Sequence, residues 1–212
     1  MDKILIVDDH PVVLDGLRLL LGDLFTDAEF YMADSGRKVM DVLDQNHDLD
    51  WIFMDVNLPD ADGIELLMLL KSKKTSANTI VLSSDSSPAI ADRALKHGAS
   101  GFLSKSFDRS ELKQCIHSIG KGQIYLETGL RLELTNYRHS VLAEIQHIEA
   151  RLTRRQRQTL IYLAQGYSNR EIAMSFNITE STVKSHVKAL MALFEADNRT
   201  HCVSEATRLS II

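Results

Sequence analysis

The chain has 212 residues, 44% of them hydrophobic, with 24 Lys and Arg against 29 Asp and Glu for a net charge of −5. This length allows one large or two small domains, and no stretch reaches the roughly 18–20 consecutive apolar residues of a membrane span. Two distant cysteines, Cys115 and Cys202, exclude a disulfide scaffold and fit free thiols in a reducing compartment. The opening Met1-Asp2-Lys3-Ile4 lacks the charged and apolar regions of an export signal, so a cytoplasmic protein with no membrane association is expected. The charge is uneven: residues 151–212 carry nine Lys and Arg against five Asp and Glu, or +4, which leaves −9 for the first 150. An acidic head with a basic tail suggests that only the tail meets a polyanion.

In chain order, the first 120 residues alternate strand and helix patterns. Strands are predicted near 3–8, 28–33, 50–55, 79–83 and 100–104, and helices near 11–22, 36–45, 63–73, 88–97 and 108–119. Helical spacing shows in Val13, Leu17, Leu20 and Leu21, and again in Ile64, Leu67 and Leu70. Gly98 and Gly120 stand where helices should stop. Such alternation predicts an α/β fold: a doubly wound, five-stranded parallel sheet with helices on both faces.

Four of these strands end in polar groups. Ile4–Val7 runs into Asp8-Asp9, the run 51–54 into Asp55, the run 80–82 into Ser83, and the run 101–104 into Lys105. In an open parallel sheet all strand C-termini share one edge, where ligands bind. Three carboxylates there suit a hard divalent cation such as Mg²⁺, with Asp8, Asp9, Asp55 and the backbone carbonyl of Asn57 as oxygen ligands. Asp55 can then attack a phosphoryl donor, since carboxylates form acyl-phosphate intermediates. Lys105 and the Ser83 hydroxyl are placed to hold phosphate oxygens. Any one of these residues alone is an ordinary turn or surface residue; the joint pattern over four strand ends is specific.

Those residues carry a resemblance. Ile6-Val7-Asp8-Asp9-His10, Met54-Asp55-Val56-Asn57-Leu58-Pro59 with Asp62-Gly63, Val81-Leu82-Ser83 and Gly101-Phe102-Leu103-Ser104-Lys105 make residues 1–120 similar to a response-regulator receiver domain of flavodoxin-like fold. The resemblance implies that Asp55 receives a phosphoryl group from a sensor histidine kinase. It implies that Asp8 and Asp9 are metal ligands, Ser83 and Phe102 the hydroxyl and aromatic switches, and Lys105 the phosphate-binding lysine. Many receivers have proline after this lysine; here Ser106 follows. His10 resembles a family-typical residue at the helix start and is not read as a ligand.

Residues 122–151 change character and read as a linker, part extended and part helical, with Val141, Leu142, Ile145 and Ile148 on one helical side. The third segment, 152–212, shows no strand pattern. Four helices fit: 153–165, 169–176, 180–194 and 199–209. A helix, a short turn with apolar Ile178, and a second helix opened by polar residues form a helix-turn-helix pattern, whose second helix can enter the DNA major groove. Val183, Val187 and Leu190 would face the core, leaving Lys184, Ser185 and Lys188 outward. Ser168, Asn169 and Thr182 sit at helix starts, where phosphates are held.

Leu152-Thr153-Arg154-Arg155-Gln156, Gly166-Tyr167-Ser168-Asn169-Arg170-Glu171-Ile172-Ala173, Ser181-Thr182-Val183-Lys184-Ser185-His186-Val187 and Asn198-Arg199-Thr200 closely resemble the LuxR-type helix-turn-helix. With the receiver at 1–121 and this domain at 152–212, the chain resembles a NarL/FixJ-family response regulator. The resemblance implies base contacts through Lys184, Ser185 and Lys188, a homodimer on phosphorylation through the last helix, double-stranded DNA as target, and RNA polymerase as a further partner. Gln156 stands where the family usually has Glu, Leu193-Phe194 where it tends to have Lys-Leu, and Glu195 where it usually has Gly.

Two other classes compete. An aspartate-nucleophile phosphatase would carry Asp-x-Asp on its first strand, whereas this chain has adjacent Asp8-Asp9 and a candidate nucleophile after the third. No enzyme acting on an external substrate is expected. A phosphorylation-independent regulator or protein-binding adaptor would not need the acidic edge.

Overall fold

Strands that are apolar at every position must be buried on both faces, and the runs Ile4–Val7, Trp51–Met54 and Ile80–Leu82 lie at the centre of a parallel sheet. The structure is a computed structural model that describes residues 1–73 and 75–212. Its first unit, Met1–Tyr137, holds β1 (Asp2–Val7), α1 (Pro11–Gly22), β2 (Ala28–Ala33), α2 (Gly36–Gln45), β3 (Trp51–Asp55) and α3 (Gly63–Ser72). It continues with β4 (Asn78–Ser83), α4 (Pro88–Lys96), β5 (Gly101–Ser104), α5 (Arg109–Gly120), β6 (Tyr125–Leu126) and the start of α6 (Thr128–Arg151).

The strand order is β2-β1-β3-β4-β5-β6, all parallel. Alternate residues of each strand feed two cores. Leu5, Val7, Ile52, Met54, Val81 and Phe102 face one layer with α2, α3 and α4. Ile4, Ile6, Phe53, Ile80, Leu82 and Leu103 face the other with α1 and α5. This is the period of two that a pleated strand imposes.

Among the described residues the sheet has six strands, not the expected five. In the sixth, Tyr125 and Leu126 pair with Gly101 and Phe102, and the Tyr125 N–H donates to the Ser100 carbonyl at 3.0 Å. Two residues are too few to show alternation in a sequence, so the segment reads only as extended. Gly101 makes the close packing possible: a Cβ there would stand 2.8 Å from Ile119 Cδ1 and 3.3 Å from Cys115 Sγ.

The stretch 122–151 is thus β6 plus α6. Leu130, Leu134 and Tyr137 of α6 belong to the apolar cluster of the first unit. Val141, Ile145 and Ile148 belong to that of the second unit, Arg138–Ile212.

The second unit continues with α7 (Arg154–Ala164), α8 (Asn169–Phe176), α9 (Glu180–Leu193) and α10 (Arg199–Arg208). Each of these four opens on a side chain that accepts a backbone N–H: Thr153, Ser168, Thr179 and Asn198. Their inward faces meet in Leu160, Leu163, Ile172, Val183, Val187, Leu190 and Cys202. Asn177 closes α8 in the left-handed conformation at φ 53°, which suits an Asn and sets the turn into α9.

Three departures from the family pattern resolve locally. Gln156 closes a capping box: its Oε1 accepts from the Thr153 N–H at 2.9 Å and from the Thr153 hydroxyl at 2.8 Å, a task a carboxylate would share. Phe194 is buried in the helical core, and Glu195 takes the left-handed position at φ 50°, where glycine is the unstrained choice.

Both thiols are inert by burial, which pushes Cys115 up to about 12 and Cys202 up to about 11. Neither should react with a thiol-specific reagent at pH 8 until denaturant unfolds the chain. Fast labelling of the native protein, read by mass spectrometry, would contradict this packing.

Candidate functional site

In this strand order the chain leaves β1 toward β2 on one side and enters β3 on the other, so a crevice opens at the C-terminal ends of β1 and β3. The sequence ends those strands with Asp8-Asp9 and Asp55, and burial does the rest. Asp8 is 0% and Asp55 3% exposed.

Lys105, after β5, crosses the crevice. Its Nζ lies 2.6 Å from Asp8 Oδ2 and 2.8 Å from Asp55 Oδ2. Burial works against its charge, but the Asp55 and Asp8 carboxylates outweigh that and hold the ammonium above the usual lysine range. The other Asp55 oxygen accepts from the Asn57 N–H at 3.2 Å. Asp8 Oδ1 accepts from the His10 N–H at 2.9 Å.

The donor set fits a hard divalent cation. Asp8 Oδ2 and Asp9 Oδ1 are buried and accept no well-directed hydrogen bond, although nitrogen atoms of Lys105 and His10 stand 2.6 and 2.7 Å away. The Lys105 ammonium therefore balances carboxylate charge without using all the oxygen lone pairs. Asp8, Asp9 and His10 also form the one group of three metal-ligating side chains found among the described residues. Helical and strand spacing gave His10 no place there. The turn into α1 brings it in, since His10 is the residue before Pro11.

Ser83 and Phe102 take up definite positions. The Ser83 hydroxyl is fully buried, donates to the Asp85 carbonyl at 2.8 Å and accepts from the Asp85 N–H at 3.1 Å. Phe102 is fully buried among the cluster under α2, α3 and α4, so its ring already lies inside. The Lys105–Ser106 peptide is trans.

Two further residues shape the loop after Asp55: Asp60, which carried no sequence signal of its own, and Gly63, which belongs to the receiver-like pattern. Asp60 caps the neighbouring helix: its carboxylate accepts from Gly36 N–H at 2.7 Å and Arg37 N–H at 3.2 Å. Those bonds hold it below the usual aspartate range. Gly63 lets α3 begin against β3, donating to the Val56 carbonyl at 2.8 Å. A Cβ at Gly63 would stand 2.5 Å from the Asp55 carbonyl oxygen and 2.7 Å from Val56 Cα.

On the second unit, α9 exposes Lys184, Ser185 and Lys188 on the side opposite buried Val183, Val187 and Leu190. Lys184 pairs with Glu180 at 3.0 Å, and the Ser185 hydroxyl donates to the Ser181 carbonyl. The Thr182 and Ser168 hydroxyls are engaged at their caps with Thr179 and Glu171. Asn169 Oδ1 is buried without a hydrogen-bond partner.

Comparison with known proteins places both parts of the chain in known domain families. Residues 4–117 match the response regulator receiver domain, and residues 150–206 match the luxR family of bacterial regulatory proteins. The nitrate/nitrite response regulator protein NarL of Escherichia coli (strain K12) is 32% identical over 92% of this chain and 90% of its own. The glycerol metabolism activator of Pseudomonas putida is 30% identical over 97% and 95%. Among solved structures, response regulator ChrA of a heme-sensing two-component system aligns at TM-score 0.52 and 26% identity, covering 99% of this chain and 98% of that one. RcsB from Salmonella enterica serovar Typhimurium, bound to promoter rprA with the phosphomimetic BeF₃⁻, shares the fold at TM-score 0.59 and 22% identity, covering 99% and 100%.

Fold and site thus define a response regulator, a receiver joined to a LuxR-type DNA-binding domain. The chain belongs to the NarL/FixJ family. No helix among the described residues is long and apolar enough to cross a membrane.

Replacing Gly63 with Ala should lower stability by about 2–3 kcal/mol, because the clash is with backbone that cannot give. Denaturant unfolding measures it, and an unchanged midpoint would show that α3 can retreat from β3.

Proposed function

We propose that the protein is a phosphorylation-switched transcription factor. A sensor histidine kinase donates the phosphoryl group, Asp55 accepts it, and the acyl phosphate favours a homodimer that binds specific double-stranded DNA. The observation that carries this reading is the Lys105 ammonium bridging Asp8 and Asp55 at the crevice between β1 and β3. Asp8, Asp9, Asp55 and the Asn57 carbonyl would hold Mg²⁺, which when bound neutralises charge on the transferring group.

The remaining chemistry belongs to side chains. Asp55 attacks with one carboxylate oxygen, forming an O–P bond as the donor P–N bond breaks. Lys105, already charged and in place, follows from Asp55 Oδ2 to a phosphoryl oxygen. The Ser83 hydroxyl must give up the Asp85 carbonyl to donate to the phosphoryl group, and that exchange pulls on the loop into α4. With Phe102 already inside, Ser83 is the switch residue left to move. No external substrate is turned over; the chain acts only on its own Asp55.

At the DNA, α9 would enter the major groove with Lys184, Ser185 and Lys188 toward base edges, and Thr182, Ser168 and Asn169 toward phosphates. Lys184 must release Glu180 to do so; an exposed pair of this kind costs little to break. RNA polymerase would be the partner of the bound dimer.

Sequencing the DNA fragments retained by the purified protein, with and without Mg²⁺ and beryllium fluoride, tests the whole scheme. A two-fold symmetric motif should appear only with the mimic. Asp55→Asn should abolish that difference while leaving the unfolding transition intact; a mutant that still responds to the mimic would remove Asp55 from its role. Lys188→Ala should weaken specific binding by roughly 1–3 kcal/mol, measured by fluorescence anisotropy, and equal affinity would reject the groove assignment.

A further inference from the structure

The end of β5 is held on both sides. Toward the sheet interior, the Lys105 N–H donates to the Ser83 carbonyl at 2.8 Å. On the outer side β6 covers only Gly101 and Phe102, so the next outward-facing amide, that of Ser104, has no strand partner. The Glu127 carboxylate takes its place: Oε1 accepts from the Ser104 N–H at 2.9 Å. The same residue starts α6, because its backbone carbonyl accepts from the Arg131 N–H at 3.0 Å. Glu127 therefore grips the residue before Lys105 with its side chain and begins the helix with its main chain.

The packing around this tether runs in the same direction. Phe102 lies opposite Leu126 in the β5–β6 register. Leu126, Leu130 and Leu134 share the apolar cluster that contains Phe102. The first turns of α6 are thus fastened to β5 by a polar clasp at Ser104 and an apolar one at Phe102. A shift of Lys105 toward a phosphoryl oxygen moves Ser104, and Ser104 carries Glu127 with it.

We propose that Glu127 is a positioning residue that couples the phosphoryl-binding end of β5 to the start of α6, so that α6 reports the state of Asp55. This rests on Asp55 being the acceptor, as proposed above. Coupling of this kind needs an element that both ends bias, and α6 supplies it, since its later residues Val141, Ile145 and Ile148 belong to the core of the second unit.

The test uses the full chain with Mg²⁺ and beryllium fluoride. Fluorine NMR reads occupancy of the acceptor site, and amide hydrogen exchange reads residues 126–134. In the native chain the mimic should bind and change exchange across that segment. In Glu127→Ala it should still bind, but the exchange response should shrink by about threefold to tenfold, as for one hydrogen bond of ordinary net strength. Glu127→Gln keeps the Oε1 acceptor and should retain the response.

An alanine variant that responds like the native chain would overturn the tether, as would a glutamine variant that fails like alanine. Bound fluoride with unchanged exchange in the native chain would sink the tether alone. No bound fluoride would remove the acceptor role of Asp55 and the tether with it.

Discussion

Everything at the acidic edge depends on one cation, the Lys105 ammonium between Asp8 and Asp55. Two carboxylates about 4 Å apart repel by about 4 kcal/mol at an effective dielectric of 20, and Asp8 and Asp55 are both buried against one lysine. Lys105 balances them, and so keeps three strand ends, those of β1, β3 and β5, in one crevice. The same balance is provisional by design. In the proposed cycle a divalent cation would take over the carboxylates and a phosphoryl group the lysine, with no new charge buried unpaired. Exposed pairs such as Arg93–Asp62 contribute far less, since water screens them.

The rest of the receiver supports that edge. β1, β3 and β4 are apolar on both faces, so the sheet cannot slip without exposing one core or the other. Gly63 brings α3 against β3, and Asp60 ties the loop after Asp55 to the start of α2. Ser83 is held by both backbone groups of Asp85, so any turn of its hydroxyl toward the crevice is transmitted to the loop before α4. The outer margin is closed by β6 and Glu127, which join β5 to α6.

The second unit is organised by caps instead of charges. Thr153, Ser168, Thr179 and Asn198 start four successive helices, and Asn177 turns the chain between the second and third of them. With starts and turn specified locally, three apolar side chains on α9 suffice to aim its opposite face outward. Lys184, Ser185 and Lys188 are exposed for that reason, with Lys184 paired to Glu180 and the Ser185 hydroxyl donating to the Ser181 carbonyl on the same helix.

The amino-acid sequence by itself determined the alternation of strands and helices, their near-exact extents outside β6 and α6, and the residues Asp8, Asp9, Asp55, Ser83 and Lys105 at the strand ends. These are local or strongly periodic signals: an apolar run, a cap, a polar residue where the run stops. Only the tertiary structure decided what requires two distant segments to meet. A two-residue strand, Tyr125–Leu126, has no pattern of its own and exists because β5 offers an open edge. Asp60 and Glu127 look like ordinary surface acids until Gly36 and Ser104 present unpaired N–H groups to them. A side chain's partner across space is set by the packing of whole elements, and no window of neighbouring residues contains it.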